Sequence, residues 1–171
     1  MKKLLLALIV VVSAGAAMAQ MKIGHVNSQQ LLDTMPSRKM AMQKLADFEK
    51  EGMLELKTME EDLNKAIAAY QTKMKDLSPV MQQIEEEKLM KKQQALEDRQ
   101  QSLQYEMQAY SNELNQPILN RLQEAVKRVA ELKKLSYVID ESVTLYHEGG
   151  VSITSEVAAE LLKLESEAMD K

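Results

Sequence analysis

The sequence predicts an α+β protein: a small β body with strands from both chain ends, and a long antiparallel coiled-coil helical hairpin inserted between them. Three observations carry this. From Pro36 to about Leu135 the chain is rich in Gln, Glu, Lys, Met and Leu and is broken mid-length by Ser78-Pro79. Within that stretch Leu89, Leu96, Leu103 and Tyr110 recur at heptad spacing, with Met107 and Leu114 in between, which is the pattern of a coiled-coil seam. Beyond Leu135 the apolar period changes from helical to alternating.

The elements follow in chain order. Lys2 and Lys3, the apolar run Leu4 to Val12 and the small residues Ala17 and Ala19 predict a cleavable export signal over residues 1–19. That run is shorter than the ~20 residues a membrane span needs, so no stable membrane anchor is expected. Ile23 and Val26 mark a strand within 22–27, a short helix is expected over Ser28 to Asp33, and Pro36 opens the first long limb. On that limb Met42, Leu45, Leu56, Met59, Leu63, Ala66 and Tyr70 form the apolar stripe. Ser78 and Pro79 are suited to cap and start the second limb. Each limb of roughly forty residues would reach ~60 Å at 1.5 Å per residue. Gly52 and Pro117 disturb the limbs and are hinge candidates, Gly52 reading alternatively as a tolerated weak spot and Pro117 as the bend where the arm enters the body. Strands are expected at Tyr137–Asp140 and near Val143–Tyr146, then a Gly149-Gly150 turn, and a final amphipathic helix capped by Thr154. The domains are thus residues 1–19 (signal), 20–35 with 117–171 (body and oligomerisation domain) and 36–116 (arm).

Composition excludes several function classes. The chain has no cysteine, so neither disulfide nor thiolate chemistry is available. Removing the signal with Lys2 and Lys3 leaves 20 basic residues against 26 acidic ones. Nucleic acid, which needs a basic surface, is not expected as a partner. A basic stretch at 117–135 (Arg121, Lys127, Arg128, Lys133 and Lys134) precedes an acidic tail; it reads as a solvated face, with cohesion between subunits as the alternative. His25 and His147 are the two groups able to exchange protons near neutrality, and both read as structural. Glu85, Glu86 and Glu87 splay around a helix and do not converge on a cation. No catalytic residue, cofactor or metal is expected, and the chain does not read as an enzyme.

An arm this thin has no core in which to build an active site, so function should lie on its surface. Nine of the methionines fall between Met35 and Met107. Flexible, polarizable Met suits surfaces that accept many apolar partners. Met53, Met59, Tyr70, Met74, Met81 and Met90 are the client-binding candidates, with Met42 beside them, although Met59 and Met107 also fit as seam filler. A body of some fifty residues with unpaired strand edges calls for oligomerisation, with Ile23, Val26, Val138, Ile139 and Leu145 as the candidate contacts.

In order and spacing, the KIGHVN start at 22–27, the Gln/Lys/Glu hairpin, SYVIDESVTLY at 136–146 and the closing SIT helix resemble the Skp/OmpH family of periplasmic outer-membrane-protein chaperones. The resemblance implies a periplasmic homotrimer whose bodies pool their strands into a small barrel, with three arms around a cavity. It also implies ATP-independent holding of unfolded outer-membrane β-barrel proteins against aggregation. The chain departs from the family's best-known members in being acidic rather than basic, so contact with lipopolysaccharide or anionic lipid is not carried over. A structural coiled-coil scaffold and a partner-specific adaptor of the cell envelope are the alternatives; protection of several unrelated clients would separate them.

Overall fold

The structure is a computed structural model that describes residues 22–146 and 148–169. The expected export signal at 1–19 and His147 lie outside the described residues. The elements are β1 (Ile23–Val26), α1 (Ser28–Thr34), α2 (Pro36–Lys73), a 3-10 turn (Met74–Asp76), α3 (Pro79–Lys133), β2 (Tyr137–Asp140), a second 3-10 turn (Glu141–Val143), β3 (Val151–Ser152) and α4 (Thr154–Met169). They divide into two compact units, Pro36–Asn120 and the remaining described residues.

The second of these units, the body, centres on a three-stranded sheet of order β2-β1-β3. Both outer strands run parallel to β1, with Ile23 opposite Tyr137 and Gly24 opposite Val151. The strand expected near Val143–Tyr146 does not form. Asp140 ends β2 instead: its carboxylate accepts the Ser142 N–H at 3.0 Å, and its carbonyl accepts the Thr144 hydroxyl at 3.1 Å. This local capping overrides the strand propensity of Val143, Thr144 and Tyr146 and winds the chain into a turn. The chain then crosses to the far edge of β1, as a parallel sheet requires. Gly150, at φ +96°, makes that return, and a Cβ there would sit 3.0 Å from the Ile23 carbonyl oxygen.

Alternation sorts β1 into two faces. Gly24 and Val26 are buried, whereas Ile23 is exposed and His25 is partly exposed. The inner side joins a core containing Leu31, Met35, Ala125, Val129, Ile153, Val157 and Leu161. Thr154 is the first residue of α4, and its hydroxyl does not cap its own helix. It accepts the Asn27 N–H at 3.1 Å and ties α4 to the end of β1. Asn27 caps α1 by accepting the Gln30 N–H at 2.9 Å.

The basic stretch and the acidic tail meet within one chain. Arg121–Glu165 at 2.7 Å, Arg128–Glu160 at 3.0 Å and Lys133–Glu156 at 2.6 Å form three antiparallel rungs between α3 and α4. They are neither a purely solvated face nor free to bridge subunits, because the chain reversal at 134–153 brings both helices together. The Glu165 carboxylate is 2% exposed.

The other unit is a helical hairpin. Cross-limb partners descend α3 as they climb α2: Phe48 with Tyr110 (ring centroids 5.2 Å), Glu55 with Arg99 (2.9 Å) and Tyr70 with Glu86 (2.7 Å). Ser78 closes the tip, its hydroxyl accepting the Met81 N–H at 3.4 Å. Helix α3 remains helical through Pro117 as far as Lys133.

Gly52 has a packing explanation that its reading as a hinge or weak spot lacked. It stands seven residues from both Leu45 and Met59, is buried, and faces Leu103 so closely that a Cβ would lie 2.7 Å from Leu103 Cδ2. Helix-interior Gly→Ala ordinarily gains ~1 kcal/mol. Here Gly52→Ala is expected to destabilise the hairpin by about 1–3 kcal/mol through overpacking. In thermal melts Gly52→Ala should cost less in a Leu103→Ala background than in the wild type, because the smaller side chain leaves room for the added methyl. A simple gain from Gly52→Ala alone would show that the close approach does not matter.

Candidate functional site

The hairpin seam takes up part of the candidate set. Met59 and Tyr70 are half-buried between the limbs, and the Tyr70 hydroxyl is given to Glu86, which raises its pKa. Met53, Met74, Met81 and Met90 lie off the seam and are exposed, from 42% for Met74 and Met81 to 69% for Met90. Met42 is exposed with them. Met53 also borders a groove of about 440 Å³ lined by Leu45, Leu103 and Met107.

Among the exposed apolar residues that escaped the sequence reading are Met40, Leu54, Val80 and Ile84 on the hairpin. They give the hairpin two apolar stretches, one near its base around Met42 and Met53 and one at its tip around Met74, Val80, Met81 and Ile84. The signal was available. Once the stripe through Leu45, Gly52, Met59 and Ala66 is assigned to the seam, any large apolar residue out of register has no partner along the limb. Such residues recur on both limbs, and single exposed hydrophobics need no explanation whereas repeated ones do.

The body offers a second surface. On the outer face of the sheet Ile23, Tyr137 and Ile139 are exposed, and Val143, Leu145 and Tyr146 are exposed on the segment that follows β2. A cavity of about 790 Å³ opens there, with Ile23, Leu135, Ile139 and Val151 among its lining residues. Of the five oligomerisation candidates, Ile23 and Ile139 belong to this face. Leu145 is fully exposed on non-strand backbone. Val26 and Val138 point to the other side of the sheet, where Val26 is buried and both line a small pocket with Leu122 and Val126. Strand periodicity explains the split, since Ile23 and Val26 are three residues apart and must point oppositely.

His25 lies on this outer face with its Nδ1 2.6 Å from Glu141 Oε1. On the opposite side of β2, burial works against ionisation of Asp140, but hydrogen bonds from Ser28 and Ser142 hold its carboxyl below the usual carboxylate range. Among the described residues no His, Cys, Asp and Glu cluster is placed to hold a metal ion, and no helix is long and apolar enough to cross a membrane.

Comparison with known proteins places the chain. Residues 22–161 match the model of the family described as Outer membrane protein (OmpH-like). Chaperone protein Skp of Photorhabdus luminescens is 30% identical over 161 residues, covering 92% of this chain and 97% of its own length. Chaperone protein Skp of Vibrio cholerae is 31% identical over 137 residues, covering 78% of this chain and 79% of its own. A solved OmpH-like structure from Caulobacter crescentus superposes with a TM-score of 0.72 at 18% identity, covering 82% of this chain and 83% of its own, a likeness of fold. The chain belongs to the OmpH-like family.

Proposed function

We propose that this chain is a periplasmic, ATP-independent holdase that binds unfolded outer-membrane proteins and keeps them from aggregating. The observation that carries the reading is the set of exposed, flexible methionines on a hairpin whose seam is already satisfied by other residues. Weak apolar contacts repeated along an arm suit clients that expose apolar residues at strand spacing, and several arms acting together multiply modest affinities. The Skp chaperones among its relatives support the same reading. Export follows from the signal-like residues 1–19.

We further propose a homotrimer joined through the outer sheet face. Ile23, Tyr137, Ile139 and Leu145 leave an apolar surface, and β2 and β3 leave unpaired edges, which a monomer must expose to water. The arm at 36–116 and the body at 20–35 with 117–171 then divide client holding from assembly.

The test is suppression of aggregation for several unrelated unfolded β-barrel proteins, measured by light scattering without nucleotide. Protection of all of them at near-equal ratios of trimer to client is expected. Protection of a single client would favour the adaptor reading, and protection of none the scaffold reading.

A further inference from the structure

We propose that assembly through the outer sheet face is controlled by pH through the His25–Glu141 pair, and strengthens as pH falls. The inference rests on the oligomer reading above. The imidazole and the carboxylate are 2.6 Å apart, with side chains 17% and 24% exposed, so most of their hydration is already gone. His25 lines, with Ile23 and Ile139, the cavity that a second copy would cover, and Glu141 is bonded to it there, so assembly would remove what water remains around the imidazole.

The sign follows from charge. With His25 protonated the pair is neutral as a whole. With His25 neutral, a carboxylate enters the contact with no charge of its own to offset it. Burying a compensated pair costs less than burying a lone anion. Assembly is therefore favoured below the histidine's titration and weakened above it.

Three other charged residues stand near His25 among the described residues. Lys22, Lys133 and Glu148 line the same cavity. Lys133 is held by Glu156 at 2.6 Å, and Glu148 accepts the Tyr146 hydroxyl. Asp140 faces away, bonded to the Ser28 and Ser142 N–H groups, and stays ionised. From the β3 side His25 meets Gly150, Val151 and Ser152, which carry no charge. Histidine is the side-chain type whose charge ordinarily changes between pH 5 and 8, which is why the pair, and not the lysines or carboxylates around it, is the element through which pH would act.

Sedimentation equilibrium of the purified protein at pH 5.5, 6.5, 7.5 and 8.5 and constant ionic strength tests this. One linked proton changes an association constant by up to about tenfold per pH unit, so a fall of at least about tenfold from the lowest to the highest pH is expected. His25→Gln should still assemble but with a flat profile. Glu141→Gln, which leaves a protonated His25 with no carboxylate to offset it, should reverse the profile so that assembly weakens as pH falls, and provides the answer if His25→Gln fails to fold by circular dichroism. A wild-type profile flat to within about threefold overturns the proposal, as does a His25→Gln profile as steep as wild type. A monomer at every pH overturns the oligomer reading itself, and the proposal with it.

Discussion

Replacing Glu165 with alanine is expected to destabilise the body by about 3–5 kcal/mol, the usual cost of stripping one partner from a buried ion pair. Glu165 is 2% exposed and its carboxylate lies 2.7 Å from Arg121 Nε, on the innermost of the three rungs joining α3 and α4. Removing it leaves a guanidinium that is three-quarters buried without its anion, and opens space beside Leu161 and Leu164. Glu165→Gln keeps an acceptor and should lose less. Arg121→Met with Glu165→Leu should come close to wild type, because an apolar pair of similar volume needs no desolvation. Urea unfolding at one fixed protein concentration reads all three, since assembly would otherwise shift the midpoint. A Glu165→Ala loss below about 1 kcal/mol would mean that the pair contributes no more than an exposed one.

The outer rungs carry a pH signature of their own. Glu160 is held below the usual carboxylate range by Arg128 and Lys163, and Glu156 by Lys133. A depressed folded-state pKa adds stability that is present above the unfolded value and is lost as pH falls through the folded one. The melting temperature should therefore decline as pH drops below about 4, where carboxylates ordinarily titrate. Glu156 is about half exposed and only Glu160 is largely covered, so the decline should be shallow.

Periodicity made the hairpin legible. Pro36 and Pro79 open their helices, Ser78 caps the second, and the heptad through Leu89, Leu96, Leu103 and Tyr110 lies along the seam. What escaped was decided by single hydrogen bonds or by long-range contact. Val143–Tyr146 has the composition of a strand, and one Asp140–Ser142 bond diverts it. Gly52 looked like a helix defect because the residue that explains it, Leu103, is fifty-one positions away. The three α3–α4 rungs likewise needed the chain reversal at 134–153 to be known. By contrast, the placing of Val26 and Val138 on the other side of the sheet was available from alternation alone.

Replacing Met53, Met74, Met81 and Met90 together with glutamine is expected to raise the concentration needed to protect clients by about tenfold or more, while assembly is unchanged. Fully burying a methionine contributes about 1.5–3 kcal/mol. These four keep 42–69% of their surface free, so each can gain only part of that against a client, about 0.5 kcal/mol after ordering costs. Four such contacts on each arm still amount to more than the 1.4 kcal/mol that makes a factor of ten. Gln is near Met in length and helix propensity, so the hairpin itself should hold. Met59→Gln is the contrast: half-buried in the seam, it should lower arm stability and affect holding only through that loss. Charge should matter less. The arm's acidic and basic residues nearly balance and are paired along and across the limbs, as in Lys57–Glu61, Lys91–Glu87 and Arg99–Glu55. Exposed charges are screened over ~8 Å at physiological salt, so raising salt from 0.15 to 0.5 M should shift protection by less than about threefold. If the quadruple variant protected clients as well as wild type while added salt abolished protection, the grip would be electrostatic, and the off-register methionines would have no part in it.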